Sequence, residues 1–254
     1  MAKIVAILNQ KGGVGKTTSA VNLAACIGAK GKRVLLADID PQGNSTSGFG
    51  IDKRGTKYSS YNVLTGGCTA ADAVITTAFE NVDIIASNMN LAGAELEIID
   101  VKNRERLLKN ALTPLWEQYD YIFLDCPPSL GLITLNALTA ADTFLVPIQC
   151  EYYALEGLSQ LMATVRQIKR LYNPYIELEG VLLTMYDGRL NLTQQVVAEV
   201  KKFFPKKVYA TAIPRNVRLS EAPSFGQPIW YFDKRSTGAQ AYMALAEEFL
   251  EKQK

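Results

Sequence analysis

The chain has 254 residues, 48% of them hydrophobic, and a formal net charge of +2. This composition predicts one globular α/β domain over residues 1–254 with a sizeable core. There is no histidine, which excludes Ser-His-Asp and Cys-His catalysis and any imidazole metal site. No apolar run reaches 18 residues and no signal peptide precedes the first strand, so a cytoplasmic protein is expected. The four cysteines show no metal-binding spacing and are expected to be buried thiols.

Apolar runs and helical periodicity alternate along the chain. The runs predict strands at 3–8, 33–38, 82–86, 120–125, 143–148, 179–184 and 207–212. The periodicity predicts helices at 16–29, 103–118, 131–141, 154–172, 191–204 and 236–252. Such alternation is typical of a doubly wound, mainly parallel sheet flanked by helices. The role of the segment 51–100 is the hardest to predict, because its apolar residues could serve the core, a dimer or a partner equally.

A glycine-rich turn follows the first predicted strand and opens the first predicted helix. It reads Lys11-Gly12-Gly13-Val14-Gly15-Lys16-Thr17-Thr18. A strand, a turn of this kind and a helix form a phosphate-binding loop, in which Lys16 reaches the β- and γ-phosphates and Thr17 binds Mg²⁺. The usual spacing has glycine where this chain has Gln10, and a second lysine, Lys11, lies at the mouth of the loop. The alternative is a plain βα turn with a surface lysine.

Acidic residues end two of the other predicted strands. Asp38 and Asp40 are two residues apart, which points both side chains to one face. Asp125 ends the fourth strand, a position from which an aspartate can hold Mg²⁺ or one of its waters. Asp-Pro is also a common turn starter, so the first pair alone allows a turn as the alternative. The loops that follow, 41–60 and 126–131, are expected to be mobile switches that sense the γ-phosphate.

Five segments together resemble the ParA/MinD-type ATPases with a deviant phosphate loop, and within them the short chromosome-partitioning ParA proteins called Soj. The segments are 11–18, 38–44, 123–131, 149–158 and 213–223. The resemblance extends over nearly the whole chain and is weakest between 51 and 100. It implies a P-loop NTPase fold that binds ATP and ADP with Mg²⁺ and hydrolyses ATP.

The resemblance also assigns roles to particular residues. Asp40 is the catalytic carboxylate that orients the attacking water, with Lys11 and Lys16 as the catalytic lysines. Thr17 and, through water, Asp125 hold Mg²⁺, whereas Asp38 supports a metal-bound water or the loop. The nucleotide contacts implied in this way are Lys11, Gly12, Gly13, Val14, Gly15, Lys16, Thr17, Thr18, Asp40, Pro214 and Asn216.

In proteins of this type the lysine matching Lys11 reaches across a dimer interface to the partner's nucleotide. The resemblance therefore implies an ATP-dependent homodimer, with Gly12 at the closest approach of the two backbones. Pro214 and Asn216 match a motif that contacts the adenine base, although the sequence alone shows only a turn there. The alternative for Lys11 is a free surface lysine.

Basic residues concentrate in one part of the chain. Residues 180–235 contain nine Lys and Arg against four acids, whereas the remainder has a net charge of −3. Lys201 and Lys202 are expected to project from helix 191–204, and Arg189 and Arg218 match DNA-binding positions of the proteins resembled. These residues predict salt-dependent, non-specific binding to duplex DNA, and so a nucleoid-associated protein. The alternative is a solvated basic face.

The resemblance implies a DNA-binding partner of the ParB (Spo0J-like) type that stimulates hydrolysis. Two other functions stay open: a MinD-like ATPase that acts on a membrane or protein cargo, and a nucleotide-gated binding module with incidental hydrolysis. In the last predicted helix, Glu247, Glu248 and Glu251 lie near the apolar stripe. Acids in that position favour docking on the domain over binding to anionic lipid, so no membrane contact is expected.

Overall fold

The protein was analysed as a computed structural model, which describes residues 1–151 and 154–254. Within these residues, seven strands form one sheet in the order β3-β4-β2-β5-β1-β6-β7. Neighbouring strands are parallel except at the β3–β4 edge, which is antiparallel. The strands are β1 Lys3–Ile7, β2 Val34–Asp38, β3 Val74–Thr76, β4 Val82–Ile85, β5 Tyr121–Asp125, β6 Thr143–Gln149 and β7 Glu177–Thr184. The predicted doubly wound α/β sheet is confirmed.

Helices connect most of the strands and flank the sheet. They are α1 Lys16–Ala29, α2 Asn44–Gly48, α3 Ser60–Thr65, α4 Leu91–Glu97, α5 Leu107–Leu112, α6 Leu132–Ala140, α7 Ala154–Leu171, α8 Asn191–Phe203, α9 Val217–Glu221, α10 Ile229–Phe232 and α11 Thr237–Glu251. Within residues 1–151 and 154–254, no helix combines the length and the hydrophobicity that crossing a bilayer requires.

The central strands are buried on both faces, which explains their continuous apolar sequences. Along β1, Ile4 and Ala6 belong to one hydrophobic cluster, whereas Val5 and Ile7 belong to the other. This alternation follows from the two-residue period of a strand. Helices α1 and α11 pack together on the second of these faces. The sheet is thus covered by a packed hydrophobic layer on each face.

The strand ends that carry the acids are neighbours in the sheet. Asp38 of β2 is the register partner of Asp125 of β5, and Asp125 is also paired with Ile7 at the end of β1. β1 lies between β5 and β6, where the strand order reverses. In open α/β sheets this reversal opens the crevice in which ligands bind.

Two predicted elements are wrong. The segment 207–212 is not a strand and makes only an isolated bridge between Val181 and Val208. The backbone N–H groups of Ala210 and Thr211 instead donate to the Glu248 carboxylate, at 2.8 and 2.9 Å. A side chain has therefore taken the bonds that a strand ladder would have used.

The predicted helix 103–118 is divided into three short pieces. Helix α5 is preceded by a 3₁₀ turn at Arg104–Arg106 and followed by another at Thr113–Leu115. Pro114 lies in the second turn, where its ring removes a backbone donor and stops an α-helix from continuing. The sequence also gave no indication of β3, and the loop predicted over 41–60 contains α2.

Candidate functional site

The phosphate loop lies between β1 and α1, at the carboxyl edge of the sheet. Gly15 caps α1 with a φ of 84°, and Gly13 has a φ of 73°. Both values lie in the left-handed region, where a side chain would be strained. The N–H groups of the first turn of α1 have no partner within the helix and carry the positive end of its dipole. The loop is thus shaped to receive an anion.

Lys16, the first residue of α1, is buried with only 7% of its surface exposed. Its Nζ donates to the Lys11 carbonyl oxygen at 3.0 Å. Burial lowers the pKa of Lys16, and the nearby carboxylates of Asp125 and Asp40 oppose that shift only in part. A phosphate bound at the loop would place a further negative charge beside this buried lysine and favour its charged form.

Asp38 is fully buried and its two oxygens are used inside the chain. Oδ1 accepts from the Asp40 backbone N–H at 3.2 Å, and Oδ2 accepts from the Thr46 N–H and hydroxyl at 2.8 and 2.7 Å. Burial raises the pKa of Asp38 against the effect of these bonds. In this structure Asp38 holds the turn that carries Asp40.

Asp40 lies just beyond the end of β2 and is 7% exposed. Its Oδ1 accepts from the Gln42 backbone N–H at 2.9 Å, which fixes the side chain over its own turn. The carboxylate is close enough to Lys16 to favour the charged form of that lysine. Asp40, Lys16 and Asp125 therefore lie near one another in the structure.

Asp125 at the end of β5 is fully buried, like Asp38. Burial, followed by the charge of Asp38 on the neighbouring strand, raises the pKa of Asp125 to about 8. The Ser45 hydroxyl donates to Oδ2 at 2.7 Å. Oδ1 is enclosed and, among the described residues, has no partner of ordinary hydrogen-bond geometry, although Thr17 is near enough to help lower this pKa. An enclosed oxygen with a free lone pair fits a water or a metal-bound water.

A cavity of about 250 Å³ adjoins the phosphate loop. Gly15 and Thr18 line it on the loop side, and the segment from Ile213 to Asn216 lines it opposite. The side-chain amide of Asn216 is already engaged, because its Oδ1 accepts from Leu219 N–H at 3.1 Å and its Nδ2 donates to Thr237 Oγ1 at 2.8 Å. The second amide hydrogen, the second lone pair of Oδ1 and the backbone of this segment remain for a ligand.

The side chain of Lys11 points out of the loop, unlike that of Lys16. Its ammonium forms an ion pair with Glu151, and both side chains are nearly half exposed. Its backbone N–H donates to the Asn9 side chain at 3.0 Å. A Cβ built on the neighbouring Gly12 would meet no atom of the described residues within 4 Å. Lys11 and Gly12 therefore face outward, away from the core of the protomer.

The four predicted DNA-binding residues lie on other elements. Lys201 and Lys202 occupy the last turn of α8 and are exposed. Arg189 precedes α8 and pairs with Asp187 at 2.6 Å. Arg218 on α9 pairs with Glu221 at 2.8 Å and Asp233 at 3.1 Å. Both arginines are therefore accompanied by carboxylates, which the charge count along the sequence does not reveal.

Sequence reasoning missed three hydroxyl groups of the site. Ser45 and Thr46 bind the carboxylates of Asp125 and Asp38, as described above. Thr184 at the end of β7 lies within hydrogen-bond distance of the carbonyl oxygens of Val14 and Ile148, at 2.8 and 3.0 Å. The only signal in the sequence is the Ser/Thr-rich stretch after Asp40, and it does not say which hydroxyl meets which acid. Of the matched segment 149–158, residues 152 and 153 lie outside the described residues.

The fold and this loop define a P-loop nucleoside triphosphatase domain, and a family model described as "AAA domain" matches residues 2–178. The sporulation initiation inhibitor protein Soj of Bacillus subtilis (strain 168) is 57% identical over 248 residues, covering 98% of each chain. The chromosome partitioning protein ParA of Myxococcus xanthus (strain DK1622) is 49% identical over 252 residues, covering 99% of this chain and 89% of the relative. The chain belongs to the Soj/ParA family of chromosome-partitioning ATPases.

Among solved structures, the chain is similar to cobyrinic acid a,c-diamide synthase from Mycobacterium smegmatis with bound ADP and magnesium. The TM-score is 0.87 at 36% identity, and the match covers 100% of this chain and 96% of the other. The similarity shows the same fold. What that protein synthesises is a property of its own chain.

The buried carboxylate pair predicts an unusual dependence of stability on pH. Because the pKa of Asp125 is raised on folding, the folded state binds more protons, and stability should fall as pH rises from 3.8 towards 8. Asp125→Asn removes this charge and should stabilise the nucleotide-free protein more at pH 8 than at pH 5. The difference should be about 1.4 kcal/mol or more, the equivalent of one pKa unit, in urea unfolding.

Asp120→Asn serves as the control. Burial raises the pKa of Asp120, but the hydrogen bonds from Arg33 outweigh it, so the net shift is downward. This variant should lose stability and gain none at pH 8. An equal effect of Asp125→Asn at both pH values would contradict the interpretation of the pair.

Proposed function

We propose that this protein is an ATP-driven partitioning switch. Two copies join around Mg²⁺ and ATP, the dimer binds duplex DNA without sequence preference, and hydrolysis releases it. A DNA-binding partner of the ParB (Spo0J-like) type stimulates that hydrolysis. One observation carries the proposal: Lys16, Asp40 and Asp125 converge on the phosphate loop, whereas Lys11 lies outside it with a half-exposed ammonium.

The proposed reaction is hydrolysis of the γ-phosphate. The loop N–H groups from Gly13 to Thr18 and the Lys16 ammonium bind the phosphates, and Asp40 orients the attacking water. Thr17 directly and Asp125 through water would hold Mg²⁺, which supplies positive charge to the β- and γ-phosphates. The enclosed Oδ1 of Asp125 supports this assignment because it is an acceptor without a partner in the described residues. The magnesium and ADP bound in the M. smegmatis structure add support.

The proposed dimer depends on Lys11 and Gly12. Two nucleotides that face each other bring together negative phosphates, and a lysine from each protomer would neutralise the phosphates of the other. In the protomer Lys11 is paired with Glu151, so dimerisation has to exchange this carboxylate for a phosphate. The pair is exposed, and exposed ion pairs contribute only about 0–1 kcal/mol, so the exchange opposes dimerisation weakly.

The proposed adenine pocket is the 250 Å³ cavity beside the loop. Pro214 and Asn216 would contact the base from the side opposite Gly15 and Thr18. The Asn216 amide also caps α9 and donates to Thr237. The contact between Asn216 and an adenine base would therefore depend on the position of α9. Arg218 lies on that same helix. The cavity thus offers a physical connection between nucleotide binding and one of the proposed DNA contacts.

The proposed DNA surface contains Arg189, Lys201, Lys202 and Arg218, and it would associate the protein with the nucleoid in the cytoplasm. Lysine and arginine contacts of this kind neutralise phosphates and carry no sequence code. A membrane role is less well supported, because α11 buries Tyr242, Leu245 and Phe249 in the core. An apolar stripe that packs on the domain is not available to lipid.

The central test measures duplex-DNA binding with ATP, with ADP and without nucleotide, at two salt concentrations. Wild-type protein should bind DNA only with ATP and lose affinity at high salt. Asp40→Ala should bind ATP normally but lose turnover by at least about 100-fold, because the water loses its orienting carboxylate. The variant should therefore stay on DNA after wild type has dissociated, as fluorescence anisotropy over time would show.

Asp52→Ala, an exposed acid further along the same segment, is the matched control and should behave as wild type. Normal turnover in Asp40→Ala would contradict the catalytic assignment. ATP-dependent dimers without DNA affinity would contradict the DNA-binding function and favour a positioning ATPase for membrane or protein cargo.

Gly12→Val should fold and bind ATP but fail to dimerise. A Cβ at this position meets no atom within 4 Å in the described part of the protomer, so the proposed clash is with a second copy. Light scattering after size exclusion with ATP would give the mass of Asp40→Ala and of Asp40→Ala with Gly12→Val, where Asp40→Ala stops turnover in both proteins. The midpoint of urea unfolding should be the same in Gly12→Val as in wild type. A dimer that forms normally in Gly12→Val would contradict the proposed interface.

Arg189→Ala with Arg218→Ala should weaken DNA binding by about 10-fold and reduce the slope of log affinity against log salt by about 2 per protomer, roughly one unit per phosphate contact. The control is Arg54→Ala with Arg166→Ala, which removes the same charge from two exposed positions outside the basic segment. Equal losses in both double variants would show a general charge effect and contradict the assigned contacts.

A further inference from the structure

Two consecutive hydroxyl residues reach the two buried carboxylates of the adjacent strands. Ser45 and Thr46 lie in the first turn of α2 and are completely buried. Ser45 Oγ donates to Asp125 Oδ2 at 2.7 Å, whereas Thr46 Oγ1 donates to Asp38 Oδ2 at 2.7 Å. One short helix therefore contacts both strand ends, with a separate residue for each acid.

Asp38 and Asp125 differ in whether a carboxylate oxygen is left without a hydrogen-bond partner. Both oxygens of Asp38 have partners inside the chain. Asp125 has only Oδ2 engaged in this way, while its enclosed Oδ1 is unpartnered among residues 1–151 and 154–254. A buried acceptor without a partner costs free energy unless a ligand or water meets it. The Ser45 bond holds one of the two oxygens and so restrains the direction in which the other can point.

Ser45 is also connected to the turn that carries Asp40. The Gly43 N–H donates to the Asp40 carbonyl oxygen at 2.9 Å. Gly43 has a φ of 60°, and a Cβ there would lie 2.6 Å from the Ser87 carbonyl oxygen. Gly43, between Asp40 and Ser45, therefore packs closely against the Ser87 backbone, and the short turn connects the two residues directly.

We propose that Ser45 is a positioning residue that orients Asp125 Oδ1 toward a metal-bound water and ties the magnesium site to the Asp40 turn. The inference rests on the proposed nucleotide function and adds to it the residue that couples metal binding to the catalytic turn. Thr46 provides the comparison. It donates to Asp38, a buried carboxylate in which both oxygens already have hydrogen-bond partners.

This difference provides a matched pair of variants. Ser45→Ala and Thr46→Val each remove one buried hydroxyl donor from one buried aspartate, one residue apart in the chain. If the hydroxyls only stabilise the fold, both variants should lose stability and leave the magnesium requirement unchanged. If Ser45 orients Asp125, only the Ser45 variant should alter that requirement.

The experiment titrates Mg²⁺ against binding of a fluorescent ATP analogue to the full chain. Ser45→Ala should raise the Mg²⁺ concentration for half-maximal binding by about 10-fold, the size expected when a hydrogen bond to a charged group is lost. Saturating Mg²⁺ should restore the wild-type affinity, and binding without Mg²⁺ should be unchanged. Thr46→Val should lower the urea midpoint and keep the wild-type magnesium requirement.

Ser45→Cys is nearly isosteric and keeps a weak donor, so it should give a smaller shift in the same direction. If Ser45→Ala does not fold, the magnesium titration is made with Ser45→Cys instead. A wild-type magnesium requirement in the Ser45 variants, or equal shifts in the Ser45 and Thr46 variants, would overturn this inference and leave the proposed function standing. Nucleotide binding by wild type that ignores Mg²⁺ would overturn both.

Discussion

Two carboxylates buried side by side, on the ends of β2 and β5, are the constraint on which the rest of this structure depends. Asp38 and Asp125 are register partners, and burial raises the pKa of each. Such a pair is costly to ionise and survives only where hydroxyls and cations compensate it. Helix α2 supplies the hydroxyls and Lys16 supplies a buried cation. The unfavourable charge is thereby concentrated where a nucleotide and its metal would bind.

The parts of the site that follow from local sequence were predictable. Apolar strands ending in acids and a glycine-rich βα turn fix the positions of Asp38, Asp125 and Lys16, because parallel strands end at a common edge. Contacts distant in sequence were not predictable. The Glu248 carboxylate that replaces a strand ladder lies 38 residues from Ala210. No local pattern encodes such a contact.

The same distinction separates the two lysines of the phosphate loop. Lys16 is fixed by the loop itself, since its Nζ reaches the Lys11 carbonyl oxygen five residues away. The ion pair between Lys11 and Glu151 joins positions 140 residues apart, so it could be found only in the folded chain. The sequence thus identifies both lysines, but only the structure shows that one belongs to the interior and the other is accessible to a second molecule.

The irregular segment after α8 has a consequence for how copies of this protein can meet. Its backbone bonds to the outer edge of β7, since Val181 N–H donates to the Lys207 carbonyl oxygen and Tyr209 N–H donates to that of Val181. The Glu248 carboxylate then stops the segment from becoming a strand with an edge of its own. The β7 edge, covered in this way, resists growth by strand addition, a common route to aggregation. A second copy of the chain therefore cannot extend the sheet through β7 as an open edge strand would allow.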